Sequence, residues 1–416
     1  MTPPKISQKQ LDNLLPHELL DQLAQQYNVD AKNQVRLPGK LVFLTLLHTL
    51  LHHPEMTLRL LEETYFQKVG KHADHSSFAA RLARIKPDYF EAIFHSLYRK
   101  LAPTATKGEK QSLKLHFVDA TTVTLSAKLL TFGLQGGGNS PHKARRHLKS
   151  VIELSEELPQ LLHLCTDKAE NSDNVALGET MRRQAKPGDL WLFDKGCNSR
   201  ERLLALHQKD AFFLTPHHEQ SIKETREVFC LDEQEHPRHP PTSEEASFVV
   251  TKVWTGVFAN SQPSHNKRFV DFPLVVVEGM RFDERSKAWK ALTLLTNLCL
   301  AGEDRVGPYT FFELAGVYAR RWEIEIFFKL IKQHLNFSHL TSRSENGIRV
   351  MMYLSLIASL LMLWYKQESK IDRGWKSVKV WLCFDLGHWL TDAFGEAFAS
   401  LVDRHPCAAP IPLQEL

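Results

Sequence analysis

The sequence predicts an α/β fold: a mixed core interrupted by a β-rich insertion, with a helical domain before it and a helical region after it. Three observations carry this prediction. Apolar residues follow helical spacing up to residue 101 and again from about Gly307. Alternating, β-rich segments begin at Leu113. Between residues 216 and 300 the regular strand–helix rhythm breaks at Pro237, Pro240 and Pro241, and only strand-like segments follow. Composition agrees with a packed globular chain. With 43% hydrophobic and 24% charged residues among 416, there is enough apolar surface to build a core, which excludes disorder as the main state.

The helical start has readable punctuation. Gly39–His53 is apolar around most of its circumference and stops at Pro54. A second helix runs from about Glu55 to Phe66. Ser76 and Ser77 can cap a third, Phe78–Ile85, which carries Arg81 and Arg84. Pro87 opens a fourth, ending near Leu101. This domain, 1–101, reads equally well as a DNA-binding bundle or a dimerisation bundle. Residues 102–112 are polar and turn-rich, a linker.

Leu113–Asp119 alternates as a strand and ends in an acid, followed by Thr121, Thr122 and Thr124. A Gly-rich basic loop comes next, with Lys143, Arg145, Arg146 and Lys149 after Gly136–Gly138. It matches neither a phosphate-binding P-loop nor a dinucleotide fingerprint. Strands near 148–154 and 160–165 form a hairpin. A helix at 175–184, a buried strand Asp189–Asp194, a helix at 199–209 and a strand at 211–215 follow. The order β-β-β-α-β-α over 113–215 is that of an RNase H-like core. The insertion, 216–300, shows strands near 248–257, 269–277 and 292–298. Residues 301–345 complete the core, and 346–416 form the C-terminal helical region.

The net charge of +4 hides an asymmetry. Residues 1–150 carry 21 Lys+Arg against 12 Asp+Glu, a net +9, and the remainder carries 31 against 36, a net −5. A basic first third suits a polyanion partner. The six cysteines are scattered without a C-x-x-C pair, which argues against a disulfide framework or a Cys-rich zinc site. The N-terminus has no apolar run after its first charge, so no secretory signal is expected. The longest uncharged apolar stretch, 350–365, is shorter than the roughly 20 residues that span a bilayer, and is expected as a buried core helix. The expected setting is cytoplasmic, with no membrane partner.

One segment is chemically distinctive. Read as a single helix at about 100° per residue, Tyr318, Arg321, Glu325, Lys329 and Lys332 fall in one polar stripe roughly 80° wide. Apolar residues fill the rest of the circumference. The stripe is either a solvated salt-bridge ladder, Arg321–Glu325–Lys329, or a carboxylate presented to a cleft between anion-binding bases.

The spacing of Tyr318, Arg321, Glu325 and Lys332 is Y-(2)-R-(3)-E-(6)-K, and in this the chain resembles the DDE transposases of the bacterial insertion-sequence-four group. Phe117-Val-Asp119-Ala-Thr-Thr resembles that family's first acid motif. Leu192-Phe-Asp194-Lys-Gly-Cys-Asn-Ser resembles the second, departing from it at Cys197, where the family often has an aromatic residue. The likeness covers roughly residues 110–365.

The resemblance implies an RNase H-like catalytic core in which Asp119, Asp194 and Glu325 bind two divalent ions, Mg²⁺ or Mn²⁺. Two such ions about 3.5–4 Å apart activate a water and stabilise the leaving oxygen in phosphodiester cleavage. It further implies that Arg321 and Lys332 contact phosphates of the transposon end, that Tyr318 meets the DNA backbone, and that 1–101 binds DNA ends. Lys329 shares the stripe, while Lys143, Arg145, Arg146 and Lys149 are candidates to track the backbone. In relatives with such an insertion, the end passes through a hairpin and an aromatic residue stacks on a flipped base. Trp254 and Trp289 are the candidates here.

The implied activity is cut-and-paste transposition: binding terminal inverted repeats, cleaving both strands and joining the 3′-OH ends to target DNA. The partner is double-stranded DNA, with a homodimer in the synaptic complex and the nucleoid as the site of action. The alternatives are an RNase H-like metal-dependent endonuclease without strand transfer, or a catalytically silent DNA-binding relic.

Overall fold

The computed structural model describes residues 6–30, 37–102, 113–125, 134–135, 146–155, 158–165, 173–197, 199–217, 222–230, 248–258, 272–283, 286–302, 304–337, 340–371 and 373–404. Its elements run in chain order as follows. Six helices come first: α1 (Gln8–Leu14), α2 (His17–Gln26), α3 (Gly39–His52), α4 (Leu58–Val69), α5 (His75–Arg84) and α6 (Pro87–Leu101). The strands β1 (Lys114–Leu125), β2 (Leu134–Gln135), β3 (Arg146–Ser155) and β4 (Leu158–Cys165) lead to α7 (Asp173–Gln184), β5 (Asp189–Leu192), α8 (Arg200–His207) and β6 (Phe212–Pro216). Next are β7 (Ile222–Cys230), β8 (Phe248–Phe258), β9 (Leu274–Asp283), β10 (Ala288–Thr296), and the short pair β11 (Arg305–Val306) and β12 (Tyr309–Thr310). The chain closes with α9 (Phe311–Ala319), α10 (Trp322–His334), α11 (Glu345–Ser369) and α12 (Trp375–Arg404).

The result is a mixed α/β protein with a large central sheet. Its strand order is β2-β3-β1-β5-β6-β10-β9-β8-β7, with β4 paired to β3. β1 and β5 run parallel, as do β5 and β6, whereas β10, β9, β8 and β7 meander antiparallel. The strands of 216–300 therefore lengthen the core sheet, joining it where β10 pairs antiparallel with β6.

β7 has no counterpart among the sequence-predicted strands. Its residues Lys223–Glu227 are exposed, so the apolar alternation that betrays a half-buried strand is missing, and charges suit an edge position. The second strand starts at Leu274 rather than 269, just after Pro273, which lacks the N–H a ladder requires. Gly279 on β9 is required by close approach: a Cβ there would lie 2.3 Å from the Val249 carbonyl oxygen, beside a register shift in β8.

The described residues group into two compact units. One comprises 1–103, 122–149 and 327–416; the other comprises 104–121 and 150–326. In the first, α11 is the central helix. Eighteen of its 25 residues are buried, and it packs on α3, α5, α6 and α12. At 25 residues it is longer than its uncharged stretch suggested, and by length and composition it could cross a membrane. Yet 89% of its most apolar window is buried inside the protein, as in the core helix of a globular fold. α3 is likewise buried on every side.

Caps account for the helix ends. Ser7 and Gln10 form a capping box on α1, and Gly70 closes α4 in the left-handed region at φ 68°. α5 begins three residues earlier than the sequence suggested. Its cap is Asp74, whose carboxylate accepts the Ser77 N–H and the Ser76 hydroxyl, each at 2.7 Å. Those bonds hold the Asp74 pKa down at about 2.

Candidate active site

The two expected aspartates stand side by side on neighbouring strands, but β1 does not end at Asp119 as the sequence suggested: it runs on through the β-branched Thr121–Val123 to Leu125, while Asp194 lies just past the end of β5. β1 and β5 pair in parallel with Phe117 opposite Leu192, and Asp119 and Asp194 each lie two residues further along. Parallel pairing brings equivalent positions side by side, so the sheet itself places these two acids together. Asp119 is half-buried and Asp194 exposed. Each accepts the N–H of the next residue, Ala120 and Lys195, at 2.7 Å.

The segment bearing the third acid differs from the expected single helix. α9 ends at Ala319 and α10 starts at Trp322. Across the break the hydrogen bonds tighten to i→i−3 spacing: Arg321 N–H to Tyr318 O at 3.0 Å, Glu323 N–H to Arg320 O at 2.8 Å, and Ile324 N–H to Arg321 O at 3.2 Å. The stripe drawn on a continuous helix is therefore interrupted at Arg320–Arg321. Its inner members still meet. Arg321 Nη2 donates to Glu325 Oε1 at 2.7 Å, and the guanidinium lies 5.9 Å from the Tyr318 ring centre. One rung of the ladder reading, Arg321–Glu325, is thus formed.

Electrostatics tie this group to Asp194. Burial pushes the Tyr318 hydroxyl up to about 12, against the pull of Arg321, with the Asp194 charge adding to the rise. Burial works against the charge on Arg321, but Tyr318, Glu325 and Asp194 outweigh it and hold the guanidinium pKa above its usual value. The Arg321 Nε is buried without a hydrogen-bond partner, an orphan donor in a protein interior. Arg320 lies 5.4 Å above the Phe117 ring, two residues before Asp119.

Tyr318 itself is 6% exposed and packs within the fold, so it has no free face for a DNA backbone; the apolar side of α9 carries it inward. Lys329 is exposed on α10, and Lys332 is half-buried with its Nζ 5.8 Å from the Phe328 ring. Arg146 and Lys149 lie on β3, and Lys143 and Arg145 lie outside the described residues.

The aromatic candidates fare differently from expectation. Trp254 is 4% exposed on β8, with its Nε1 donating to Glu278, so no face is free to stack on a base. Trp289 is half-buried against Phe282, ring centres 5.7 Å apart. Trp322, at the start of α10, is an open tryptophan, 46% exposed, as Phe312 on α9 is an open phenylalanine at 58%. Trp322 borders a cavity of about 540 Å³ lined also by Arg281, Phe282, Asp283, Lys290 and Leu292. Sequence reasoning passed over it because its neighbours drew attention as the motif, although it sits directly between Arg321 and Glu323.

As donors, three carboxylates suit a hard divalent cation. In the structure Glu325 is turned onto Arg321, and among the described residues no three His, Cys, Asp or Glu side chains form a ligand cluster.

Comparison with known proteins bears on these residues. A family model described as "Transposase DDE domain" matches residues 111–361, a span that contains all three acids. A Sinorhizobium fredii protein described as a transposase, y4zB, is 26% identical over 249 residues, 60% of each chain. A Geobacillus stearothermophilus protein described as the transposase of insertion sequence element IS5377 is 33% identical over 79 residues, 19% of each chain. A Synechocystis protein described as the transposase of element IS4SA is 33% identical over 69 residues, 17% of this chain and 20% of its own. The matched stretches thus span at most about three-fifths of these relatives' lengths. Among solved structures, the piggyBac transposase synaptic complex with hairpin DNA aligns with 97% of this chain and 85% of its own, at 11% identity and a TM-score of 0.40. With a family match over more than half its length, spanning the strands and helix that carry Asp119, Asp194 and Glu325, the chain belongs to the transposases that bear a DDE domain.

Proposed function

We propose that this protein is a cut-and-paste DNA transposase, which binds terminal inverted repeats, cleaves both strands and joins the 3′-OH ends to target DNA. The observation that carries the reading is the placement of Asp119 and Asp194 side by side, each two residues past the Phe117–Leu192 pair of adjacent parallel strands, with the Arg321–Glu325 pair within electrostatic reach of Asp194. An RNase H-like core is supported by the strand order. The hairpin strands β4 and β3 lie on one side of β1, and the parallel crossover strands β5 and β6 lie on the other.

Asp119, Asp194 and Glu325 would hold two divalent ions, Mg²⁺ or Mn²⁺, which when bound activate a water and stabilise the leaving oxygen. The chain's own residues do the rest. Arg321 compensates the Glu325 charge at 2.7 Å, and the exposed part of its guanidinium would grip a phosphate oxygen. Tyr318, buried beneath Arg321, braces the guanidinium rather than touching DNA. Lys329 and Lys332, with Arg146 and Lys149, supply positive charge for the backbone. Trp322, beside Arg281 and Lys290, offers the stacking face for an unpaired base. Two copies act together when two ends are joined.

The test is end cleavage with Mg²⁺ or Mn²⁺ by Asp119→Asn, Asp194→Asn and Glu325→Gln. Each substitution is expected to abolish cleavage while leaving DNA affinity within a few-fold. Unchanged cleavage in any of the three overturns the assignment of that acid. Products joined to a target plasmid separate transposition from simple nicking.

A further inference from the structure

The face of β1 that points away from Asp119 carries a second polar cluster. His116 is three residues upstream, so strand alternation puts the two side chains on opposite faces. The imidazole Nδ1 contacts the Glu153 carboxylate of β3, and Nε2 lies 3.1 Å from Asp189 Oδ1 of β5. The second contact falls outside good hydrogen-bond alignment and acts as a charge contact. His116 and Glu153 are each 5% exposed and Asp189 is 6%. The ring also stacks on the fully buried Trp191 of β5, centres 4.6 Å apart and planes 12° from parallel. Trp191 is the register partner of His116 in the β1–β5 pairing.

Burying two carboxylates against one imidazole is unfavourable unless the ring is charged. With a neutral ring the cluster carries two uncompensated negative charges; with an imidazolium it carries one, and the Trp191 face adds a cation–π contact. We propose that His116 is a positioning residue: its imidazolium, clasped between Glu153 and Asp189, fastens β3, β1 and β5 together and so fixes the neighbouring strands that hold Asp119 and Asp194 side by side. A one-residue slip of β1 would turn His116 to the other face and break the clasp, so the clasp selects the register.

The groups facing the imidazole are Glu153 from β3 and Asp189 from β5, with Lys114 of β1 acting on Asp189. Burial opposes the charged ring, but the two carboxylates outweigh it and raise the His116 pKa above 6.5. A raised folded pKa means the clasp is complete below 6.5 and is lost as pH rises through the folded value. Burial opposes the Asp189 charge too, but His116, the Lys186 N–H and Lys114 outweigh it and lower its pKa, so that end fails only in acid.

The inference rests on the transposase reading for what Asp119 and Asp194 do, but its test stands apart from activity. In the full-length chain, the His116 titration is followed by NMR with ring-labelled histidine, and Mn²⁺ affinity is measured by water proton relaxation across pH 6–9. His116 is expected to titrate above 6.5, and Mn²⁺ affinity is expected to fall along the same curve. Asp189→Asn and Glu153→Gln, which leave the fold one carboxylate short, are expected to move both curves to lower pH. His116→Gln is expected to weaken Mn²⁺ about 10- to 100-fold, as loss of a support behind a metal ligand does, and to abolish the alkaline loss. A His116 pKa at or below 6.5, or a Mn²⁺ curve that Asp189→Asn does not move, overturns the proposal. Absence of end cleavage in the wild type, with these curves as expected, sinks the transposase reading and leaves the clasp standing.

Discussion

Replacing Arg321 by alanine should uncouple DNA binding from stability. Its Nη2 is bonded to Glu325 at 2.7 Å, with the side chains 15% and 32% exposed. A hydrogen bond to a charged group contributes about 1.5–3 kcal/mol, and the part-exposed Glu325 puts this one near the lower limit. The contact with the Tyr318 ring adds about 0.5–1 kcal/mol. Against these, alanine relieves the buried orphan Nε, whose desolvation costs about 1 kcal/mol. The net loss of stability is about 1–2 kcal/mol. On DNA the loss should be larger, because the same guanidinium is the one proposed to meet a phosphate. Affinity should fall about 10- to 150-fold, and the slope of log affinity against log salt should shrink by about 0.9. Urea unfolding and fluorescence anisotropy with labelled end DNA, run from low to moderate NaCl, measure the two effects. A variant destabilised by more than about 4 kcal/mol but with unchanged affinity and salt slope would refute this reasoning, making Arg321 a structural ion pair only.

Trp322→Ala should reduce end cleavage about 10- to 100-fold through a lost stacking face while leaving the unfolding midpoint nearly unchanged, whereas Trp254→Phe should lower the midpoint and leave cleavage intact; the reverse pattern would restore Trp254 as the stacking residue. Gly279→Ala should destabilise by about 1–3 kcal/mol, because its methyl group would meet the Val249 carbonyl oxygen; a neutral urea midpoint would show that β8 can yield there. Burial, with help from His52, Lys68 and His53, lowers the His48 pKa to about 3, so its ring is neutral in the fold. A depressed histidine pKa stabilises above 6.5 and is lost as pH falls from 6.5 towards the folded value, so urea midpoints should drop between pH 7 and 5, and less so in His48→Asn. Cys383, raised by burial to about 11, should resist alkylation at pH 8 while the exposed Cys230 and Cys299 react.

Several features were legible from local chemistry alone. The strand leading to Asp194 could be read because its residues are continuously apolar and buried, and the start of the Asp119 strand because it alternates; that β1 runs on past Asp119 to Leu125 could not, since an acid within a strand looks locally like its end. The Glu325 segment could be read because fixed spacing survives even where the backbone does not follow one ideal helix: Arg321 still reaches Glu325 across a break the sequence does not announce. Helix ends were less exact, since Asp74 competes with two serines for the same cap and only the backbone shows which oxygen faces the free N–H groups.

Amino-acid order by itself therefore determined the class of elements and the family, and singled out three acids for the proposed site, because periodicity, caps and motif spacing act over a few residues. Tertiary structure decided which side chains are free to act. It buried Tyr318 and Trp254, exposed Trp322, lengthened the core sheet with β7–β10 and gathered His116, Glu153 and Asp189 from three strands distant in sequence. Exposure and cross-strand neighbours depend on which segments pack together, and that is settled by long-range burial rather than by any local signal.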